Sequence, residues 1–386
     1  MALTVKDILQ LGGLSKMRLI AGKGGLNRYV VSLGIADYEF SSFAQASEKN
    51  VFEPDMIILS TLLFARDEPD LILATTKFLC EIGAAAFACK TTVFPDLPAE
   101  VIDFANRHDF PIIQYDGDLY MESIIFEILD AVRKEDDNFF SEENLDQMIA
   151  GSLTKAQIYA LSKNISLKLK ESVMAVYIKG EDEDFQLNLE RYSKVFYLNR
   201  NLNTKALVCK YKNGLFAILT ARQNKEKTFR IILDELMEFL SPCKEGLYVS
   251  CSRIHEPYKE LDQCIRESYY THIASVAENR AFGSYDKIGA YQLLVPLADS
   301  AVMKEFMTAL IDPIKEKPEF FETIRQLALN EGDIFRTASS LKCHHNTIRY
   351  RISKIKQFLF CEEMSDQEFY VNVSLAVRLY MLNENK

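Results

Sequence analysis

The chain has 386 residues, which is enough for two or three domains with separate hydrophobic cores. Apolar residues make up 48% and charged residues 26%, the balance of a water-soluble globular protein. The formal net charge of −10 argues against a protein that binds nucleic acid over its whole surface, but it does not exclude one basic module on an acidic body.

Cysteine usage and the N-terminal segment favour a protein of the cytoplasm. The eight cysteines form no CxxC pair and have no histidine at the spacing of zinc ligands, which predicts reduced thiols and no metal site. Residues 1–11 lack a basic segment followed by a long apolar run, and no window approaches the roughly 20 apolar residues of a membrane span. We therefore expect a cytoplasmic protein with no signal peptide and no membrane partner.

The first third of the chain alternates strand-like apolar runs with helical patterns. The strand-like runs are MRLIAG, YVVSLGIAD, DMIILST, AAAFACK and FPIIQYD. Between them, residues 69–83 and 97–109 carry apolar side chains at helical spacing. This alternation predicts an N-terminal α/β domain over residues 1–133, with helices covering a sheet. The one histidine of this region, His108, is interpreted as a surface or boundary residue of a helix.

Two glycine clusters, Gly12-Gly13 and Gly22 to Gly25, raise the alternative of a phosphate-binding loop. The second cluster reads AGKGGLN, which lacks the GxxxxGK[ST] spacing and is not followed by a convincing helix. A tight turn between two strands is the plainer interpretation.

The middle third begins with an acidic stretch and then returns to strand patterns. Residues 133–147 read RKEDDNFFSEENLDQ and predict a long charged helix, with a domain boundary near Lys134. The segment KALVCKYKNGLFAILTA predicts a hairpin that turns at Lys212-Asn213-Gly214, because Asn-Gly accepts positive φ. A strand at ESVMAVYIKG and two later amphipathic helices complete a predicted α/β or α+β domain over residues 134–285.

Residues 286–386 change class, because little after Leu294 resembles a strand and helical periodicity dominates. One predicted helix begins at Pro318-Glu319 and stops at Gly332, which suits a left-handed position. Asp333 can cap a second helix, and a turn of three or four residues leads to a third. The pattern predicts an all-α domain with a helix-turn-helix at about residues 319–359.

The third of these helices is basic on an otherwise acidic chain. From Gly332 to Phe360, six basic residues oppose one acidic residue. A helical wheel places four apolar side chains on one stripe, namely Ile348, Ile352, Ile355 and Leu359. The opposite face carries Asn346, Thr347, Tyr350, Ser353 and Lys354, with Arg349 and Arg351 on the flanks.

Such a division suits a recognition helix in the major groove of DNA. Amide, hydroxyl and phenol groups can reach base edges, guanidiniums can reach phosphates, and the helix N-terminus offers backbone N–H groups to a phosphate. The alternative is an ordinary solvated helix face. The candidate DNA-binding residues are His344, His345, Asn346, Thr347, Arg349, Tyr350, Arg351 and Lys354.

The segment HHNTIRYRISKI strongly resembles the H-x-N-T-[LIV]-R-Y-R-[LIV]-x-[RK]-I signature of PucR/CdaR-type bacterial transcription factors. Residues 320–341 and the late segment SLAVRLYML resemble the flanking helices of the same domain, and residues 4–37 and 97–116 are similar to parts of the PucR N-terminal domain. The resemblance implies a cytoplasmic regulator, often an activator, of a catabolic operon for purines, sugar acids or amino acids. It also implies that the N-terminal and middle regions sense a small-molecule effector or relay its signal.

The middle domain resembles the degenerate GGDEF-like domain of this family. The hairpin at residues 212–216 stands where a nucleotide cyclase holds metal-binding carboxylates, and Leu215 occupies a slot that needs charge. The resemblance therefore implies a scaffold, a dimerisation surface or a relay without catalytic residues. A further departure is Leu62 in ILSTLLFARDEP, where the family usually shows a glycine; this puts a ligand site there in doubt.

We expect an effector-responsive activator that binds double-stranded promoter DNA as a homodimer or higher oligomer, with no cofactor. The helix at residues 133–147 and the helix after Leu375 are both candidates for the dimer contact. One alternative is a nucleotide-processing enzyme that uses the GGDEF-like or N-terminal α/β domain, although the sequence has no nucleophile elbow, metal-spaced histidine pair or phosphate loop. Another is a metabolite-binding or oligomerisation protein whose helical end has lost DNA binding. The effector-binding residues stay unassigned.

Overall fold

The structure is a computed structural model that describes residues 3–37, 52–164, 169–180, 183–240 and 246–384. The backbone falls into two compact units. The first contains Met1–Met174, Glu183–Lys244 and Ile254–Asp262, and the second contains Ala175–Asp182, Glu245–Arg253 and Gln263–Lys386. The three-domain division at 1–133, 134–285 and 286–386 stays a prediction. Within the described ranges, no helix is both long enough and apolar enough to cross a membrane.

The five strands described in the first sheet lie where the apolar runs predict them. They are β1 Met17–Ala21, β2 Ser32–Ile35, β3 Met56–Ser60, β4 Ala86–Lys90 and β5 Ile112–Tyr115. Their order is β1-β5-β4-β3-β2; β2 to β5 run parallel, and β1 runs antiparallel to β5. Every residue of β3 is buried, as expected for a parallel strand that is covered on both faces.

The helices described beside this sheet are α1 Val5–Leu9, α2 Asp70–Glu81, α3 Ala99–Arg107 and α4 Met121–Phe139. Of these, α2 and α3 lie where the apolar periodicity predicts helices. Side chains of α2 and α3, such as Leu79 and Val101, share one buried cluster with Ile58 and Phe87 of the sheet. His108 follows α3 as an exposed residue whose ring lies tilted against that of Phe104, with centroids 4.3 Å apart. The surface interpretation of His108 is therefore confirmed.

Gly22 is the left-handed N-cap of a short 3-10 helix, Lys23–Asn27, that packs against the segment before β5. Gly22 has a φ of 73°, and its N–H donates a hydrogen bond to Asn106 Oδ1 at 2.9 Å. A Cβ atom on Gly22 would lie 2.0 Å from the carbonyl oxygen of Phe110, so only glycine fits this position. This close packing gives Gly22 a structural role in the connection between β1 and β2, where a tight turn was predicted and the structure has a short 3-10 helix.

Gly22→Ala is expected to lower the free energy of unfolding by about 2 kcal/mol or more, because it combines left-handed backbone strain with a backbone clash. Gly12→Ala is the matched control, since nothing lies within 4 Å of the Cβ position at Gly12. Urea unfolding followed by circular dichroism measures both variants. Equal unfolding midpoints for the two would contradict the structural role of Gly22.

The acidic stretch at residues 133–147 belongs to two helices, so the prediction of one long charged helix is wrong. α4 runs through Lys134 to Phe139, and α5 Glu142–Ala150 follows. Phe140 is buried at the break, and the side chain of Ser141 accepts a hydrogen bond from the N–H of Asn144. This N-cap starts a new helix where charge composition alone predicted continuity.

A second sheet and further helices give the chain its mixed α/β content. In chain order, the elements are α6 Lys155–Asn164, β6 Ser172–Gly180, α7 Glu183–Leu198, α8 Arg200–Asn203, β7 Ala206–Tyr211, β8 Gly214–Ala221, α9 Glu226–Phe239, β9 Leu247–Cys251, α10 Pro257–Ala277 and β10 Phe282–Ser284. The strand order is β10-β9-β6-β8-β7. The GGDEF-like resemblance of this region stays a prediction.

The hairpin of β7 and β8 is confirmed, and its loop is one residue shorter than the predicted Lys212-Asn213-Gly214. Tyr211 pairs with Gly214, so the loop is Lys212-Asn213, and Lys212 carries the positive φ of 49°. The N–H of Lys212 donates to Glu142 Oε1 at 3.0 Å, which fixes the loop to α5. Leu215 is buried in β8 and adds an apolar side chain to the sheet.

From residue 286 to residue 384 the second unit contains helices and no strand, which confirms the predicted all-α end. They are α11 Tyr291–Leu297, α12 Ala301–Lys315, α13 Pro318–Leu329, α14 Ile334–Ser340, α15 His345–Phe358 and α16 Asp366–Glu384. Their buried side chains form one core, in which Ile324, Ile355, Phe369 and Val373 take part. This core holds α15 against the rest of the helical region.

Candidate nucleic-acid interface

The start of the helix-turn-helix is built by a left-handed glycine and an aspartate cap. Gly332 has a φ of 81°, and its N–H donates to the carbonyl of Leu327 at 2.9 Å, which ends α13. The carboxylate of Asp333 then accepts hydrogen bonds from the N–H groups of Phe335 at 2.8 Å and Arg336 at 3.0 Å. The stop and the cap thus lie at the residues that the sequence predicts.

Residues 341–344 form the turn between α14 and α15. Lys342 adopts a positive φ of 51°, and the N–H of Cys343 donates to the carbonyl of Ala338 at 3.0 Å. His344 is the N-cap of α15, because its ring Nδ1 accepts a hydrogen bond from the N–H of Asn346 at 3.3 Å. A histidine ring thereby takes the place of the usual short polar cap.

The inner face of α15 is the predicted isoleucine stripe. Ile348 and Ile355 are fully buried, and Ile352 and Leu359 are partly buried against the same core. This arrangement fixes the rotation of α15 about its own axis, and therefore determines which side chains face outward.

The outer face of α15 is open to solvent. Asn346, Arg349, Tyr350 and Lys354 are exposed, and Tyr350 retains 63% of its accessible surface. Thr347 is partly buried. Lys354 Nζ donates to Gln357 Oε1 at 3.2 Å and lies 5.8 Å from the centroid of the Tyr350 ring. One helix side therefore presents an amide, a phenol, a guanidinium and an ammonium group.

Two basic residues of α15 make contacts within the helical domain. The side chain of Arg351 is 20% exposed; its guanidinium lies 3.4 Å from Glu319 Oε1 and donates to Thr323 Oγ1 at 3.4 Å. Lys356 is buried, and its Nζ donates to the carbonyl of Met364 at 2.8 Å and to Asp366 Oδ1 at 2.5 Å. The first residue joins α15 to α13, and the second joins it to the start of α16.

Three rings lie together at the N-terminus of α15. The ring centroids of His344 and His345 are 4.0 Å apart, and the ring of Phe335 lies 4.9 Å from that of His345. Partial desolvation and the nearby charges of His344 and Arg349 lower the pKa of His345 below its usual value. Phe335 is 61% exposed beside the candidate residues and was not selected from the sequence, where the signal was an apolar side chain next to a helix cap.

Leu62 forms a left-handed turn at the end of β3. Its φ is 58°, and its N–H donates to Ser60 Oγ at 2.9 Å. The backbone thus adopts a conformation that favours glycine, while the leucine side chain is fully buried in the core of the first sheet. Among the residues the structure describes, no group of three or more His, Cys, Asp or Glu side chains is placed to hold a metal ion.

Comparisons with known proteins match both ends of the chain. Residues 7–132 match the purine catabolism regulatory protein-like family, PucR, and residues 320–379 match the PucR C-terminal helix-turn-helix domain. The purine catabolism regulatory protein of Bacillus subtilis (strain 168) is 23% identical over 125 residues, which are 32% of this chain and 22% of that protein. The matched part thus spans about a fifth of the length of that relative.

The solved structures that match include the regulator of polyketide synthase expression from Bifidobacterium adolescentis. It is 14% identical and covers 67% of this chain and 98% of its own chain, with a TM-score of 0.28, which is too low to equate the two folds. The family matches are more specific, because the second of them contains all of α14 and α15. The chain is thus similar to PucR-type proteins in its N-terminal region and in its helix-turn-helix domain.

Proposed function

We propose that the chain is an effector-responsive transcriptional regulator whose helix α15 enters the major groove of promoter DNA. The observation that supports this function is the division of α15, which buries Ile348 and Ile355 and exposes Asn346, Arg349 and Tyr350. Asn346, Thr347 and Tyr350 would contact base edges, and Arg349 and Lys354 would contact phosphates. His344 and His345 would position the N-terminus of α15 at a phosphate.

Arg351 has a different role in this proposal. Its guanidinium contacts Glu319 and Thr323, so it positions α15 relative to α13 before DNA is bound. A partly buried arginine with two partners on another helix mainly stabilises the packing of the two helices. Its charge contributes less to the surface of the domain.

We further propose activation of a catabolic operon, by a homodimer or higher oligomer in the cytoplasm. The match to a purine catabolism regulatory protein supports purine breakdown as one candidate process. Two copies of α15 would read half-sites about one helical turn apart, as helix-turn-helix dimers do. The proposed small-molecule effector would bind outside the helix-turn-helix.

Asn346→Ala and Tyr350→Ala are expected to alter sequence preference. Loss of one base contact should reduce discrimination at one or two base pairs by about 1–3 kcal/mol per contact. Selection of binding sites from a randomised DNA pool, followed by gel-shift titration, measures the change.

Gln357→Ala is the matched control for these two variants. Gln357 is an exposed amide on the same helix, 11 residues and therefore about 16 Å beyond Asn346. It should keep the preference of the parent chain. Unchanged preference for both Asn346→Ala and Tyr350→Ala would contradict the assignment of α15 as the recognition helix.

A further inference from the structure

A cavity of about 520 Å³ lies within the first compact unit. Phe52, Pro54 and Ile82 form an apolar part of its wall, near the N-terminal end of β3 and the C-terminal end of α2. Lys170, Lys205 and Arg222 line it near the ends of β6, β7 and β8, and α9 contributes Thr228, Ile231 and Ile232. Its volume lies in the range of small-molecule sites, which is about 300–1,000 Å³.

Three cationic side chains line this cavity, although the chain as a whole is acidic. Lys170 is held in place because its Nζ donates to the carbonyl of Thr204 at 2.7 Å and its backbone N–H donates to Thr220 Oγ1 at 2.6 Å. Burial, followed by the charges of Arg222 and Lys205, lowers the pKa of Lys170, while Glu53 acts in the opposite direction. The cationic groups are therefore close enough to repel one another.

The three cations differ in how they are neutralised. Lys205 Nζ lies 2.7 Å from Glu235 Oε2 on α9, so that charge is paired. Among the lining residues that the structure describes, Glu53 is acidic, and Lys170 and Arg222 are the two cations besides Lys205. The cavity thus keeps an excess of positive charge in a chain whose net charge is −10.

We propose that this cavity binds a small organic anion, whose carboxylate or phosphate group lies between Lys170 and Arg222 and whose carbon skeleton contacts Phe52 and Ile82. Ammonium and guanidinium groups only donate hydrogen bonds, so they select an acceptor-rich anion and reject a neutral polyol of the same size. The role of this anion as the effector rests on the proposed regulatory function; its binding does not.

Isothermal titration of the full chain tests the proposal with two matched pairs of probes. Tartrate is compared with its neutral counterpart erythritol, and glycerol 3-phosphate is compared with glycerol. Saturable binding of either anion at low millimolar concentration, without binding of its neutral counterpart, is expected; the pair that responds identifies carboxylate or phosphate as the ligand group. Failure of both anions to bind would overturn the proposal.

Arg222→Ala is expected to weaken binding of the responding anion about tenfold or more, the scale of one lost charge-assisted hydrogen bond. Arg222 is exposed, so folding should be retained, and Arg222→Lys should restore part of the affinity. Arg230→Ala removes an exposed arginine of α9 that does not line the cavity, and should bind like the parent chain. Equal losses for Arg222→Ala and Arg230→Ala would overturn the proposal.

A gel-shift titration of the same variants separates this proposal from the proposed function. Arg222→Ala should bind promoter DNA like the parent chain when no anion is present. Anion binding without any specific DNA binding would support the cavity site and contradict the regulator. Specific DNA binding without anion binding would support the regulator and contradict the cavity site.

Discussion

Replacing Ile355 with alanine is expected to destabilise the helix-turn-helix domain by about 2–5 kcal/mol. Ile355 is fully buried in the core that joins α13, α15 and α16, where Ile324 and Phe369 also lie. Truncation removes apolar contact area and leaves a cavity that close-packed neighbours fill only in part. Without Ile355, the core no longer fixes the rotation of α15 about its own axis. The affinity for specific DNA should therefore fall together with the stability of the domain.

Hydrogen exchange of the α15 amides in the full chain measures this effect locally. Ile355→Ala should lower the protection of these amides, and Ser353→Ala, at an exposed position two residues away, should change the free energy of opening by less than about 0.5 kcal/mol. Loss of protection with unchanged DNA affinity would mean that the rotation of α15 does not determine recognition.

The helix-turn-helix was predictable because its determinants are local. Asp333 caps α14 by accepting a hydrogen bond from the N–H of Arg336, three residues away, and Gly332 adopts a left-handed φ of 81°. The spacing of Ile348 and Ile355 places both on the buried face of α15. The five strands of the first sheet were predictable for a related reason. A fully buried parallel strand such as β3 has to be an unbroken apolar run.

The contacts of Arg351 and of Lys170 could not be predicted, because their partners are distant in the sequence. Arg351 meets Thr323 across 28 residues, and Lys170 meets Thr204 across 34. No periodicity in the sequence encodes such pairs. The break between α4 and α5 escaped prediction for a local reason, since the burial of Phe140 depends on the tertiary fold while its acidic surroundings indicate a continuous exposed helix.

Arg349→Ala is expected to weaken DNA binding across many sequences and to reduce the salt dependence of binding. Arg349 is an exposed cation on the flank of α15, so loss of one phosphate contact should change the slope of log K against log salt by about one unit. Arg351→Ala removes the same charge from the same helix but breaks contacts to Glu319 and Thr323 instead. Arg351→Ala should lower the stability of the helical domain. In the molecules that stay folded, the slope of log K against log salt should be unchanged.

Gel-shift titrations at several salt concentrations compare the two variants, with Arg349→Lys as the variant that keeps the charge and the slope. Because Arg349 and Arg351 are two residues apart and carry equal charge, any general effect of lost charge on the acidic chain acts on both alike. A difference in slope between them therefore reports which guanidinium faces the phosphates. Equal slopes for Arg349→Ala and the parent chain would show that the exposed face of α15 does not lie against DNA, whatever the isoleucine stripe contributes to folding.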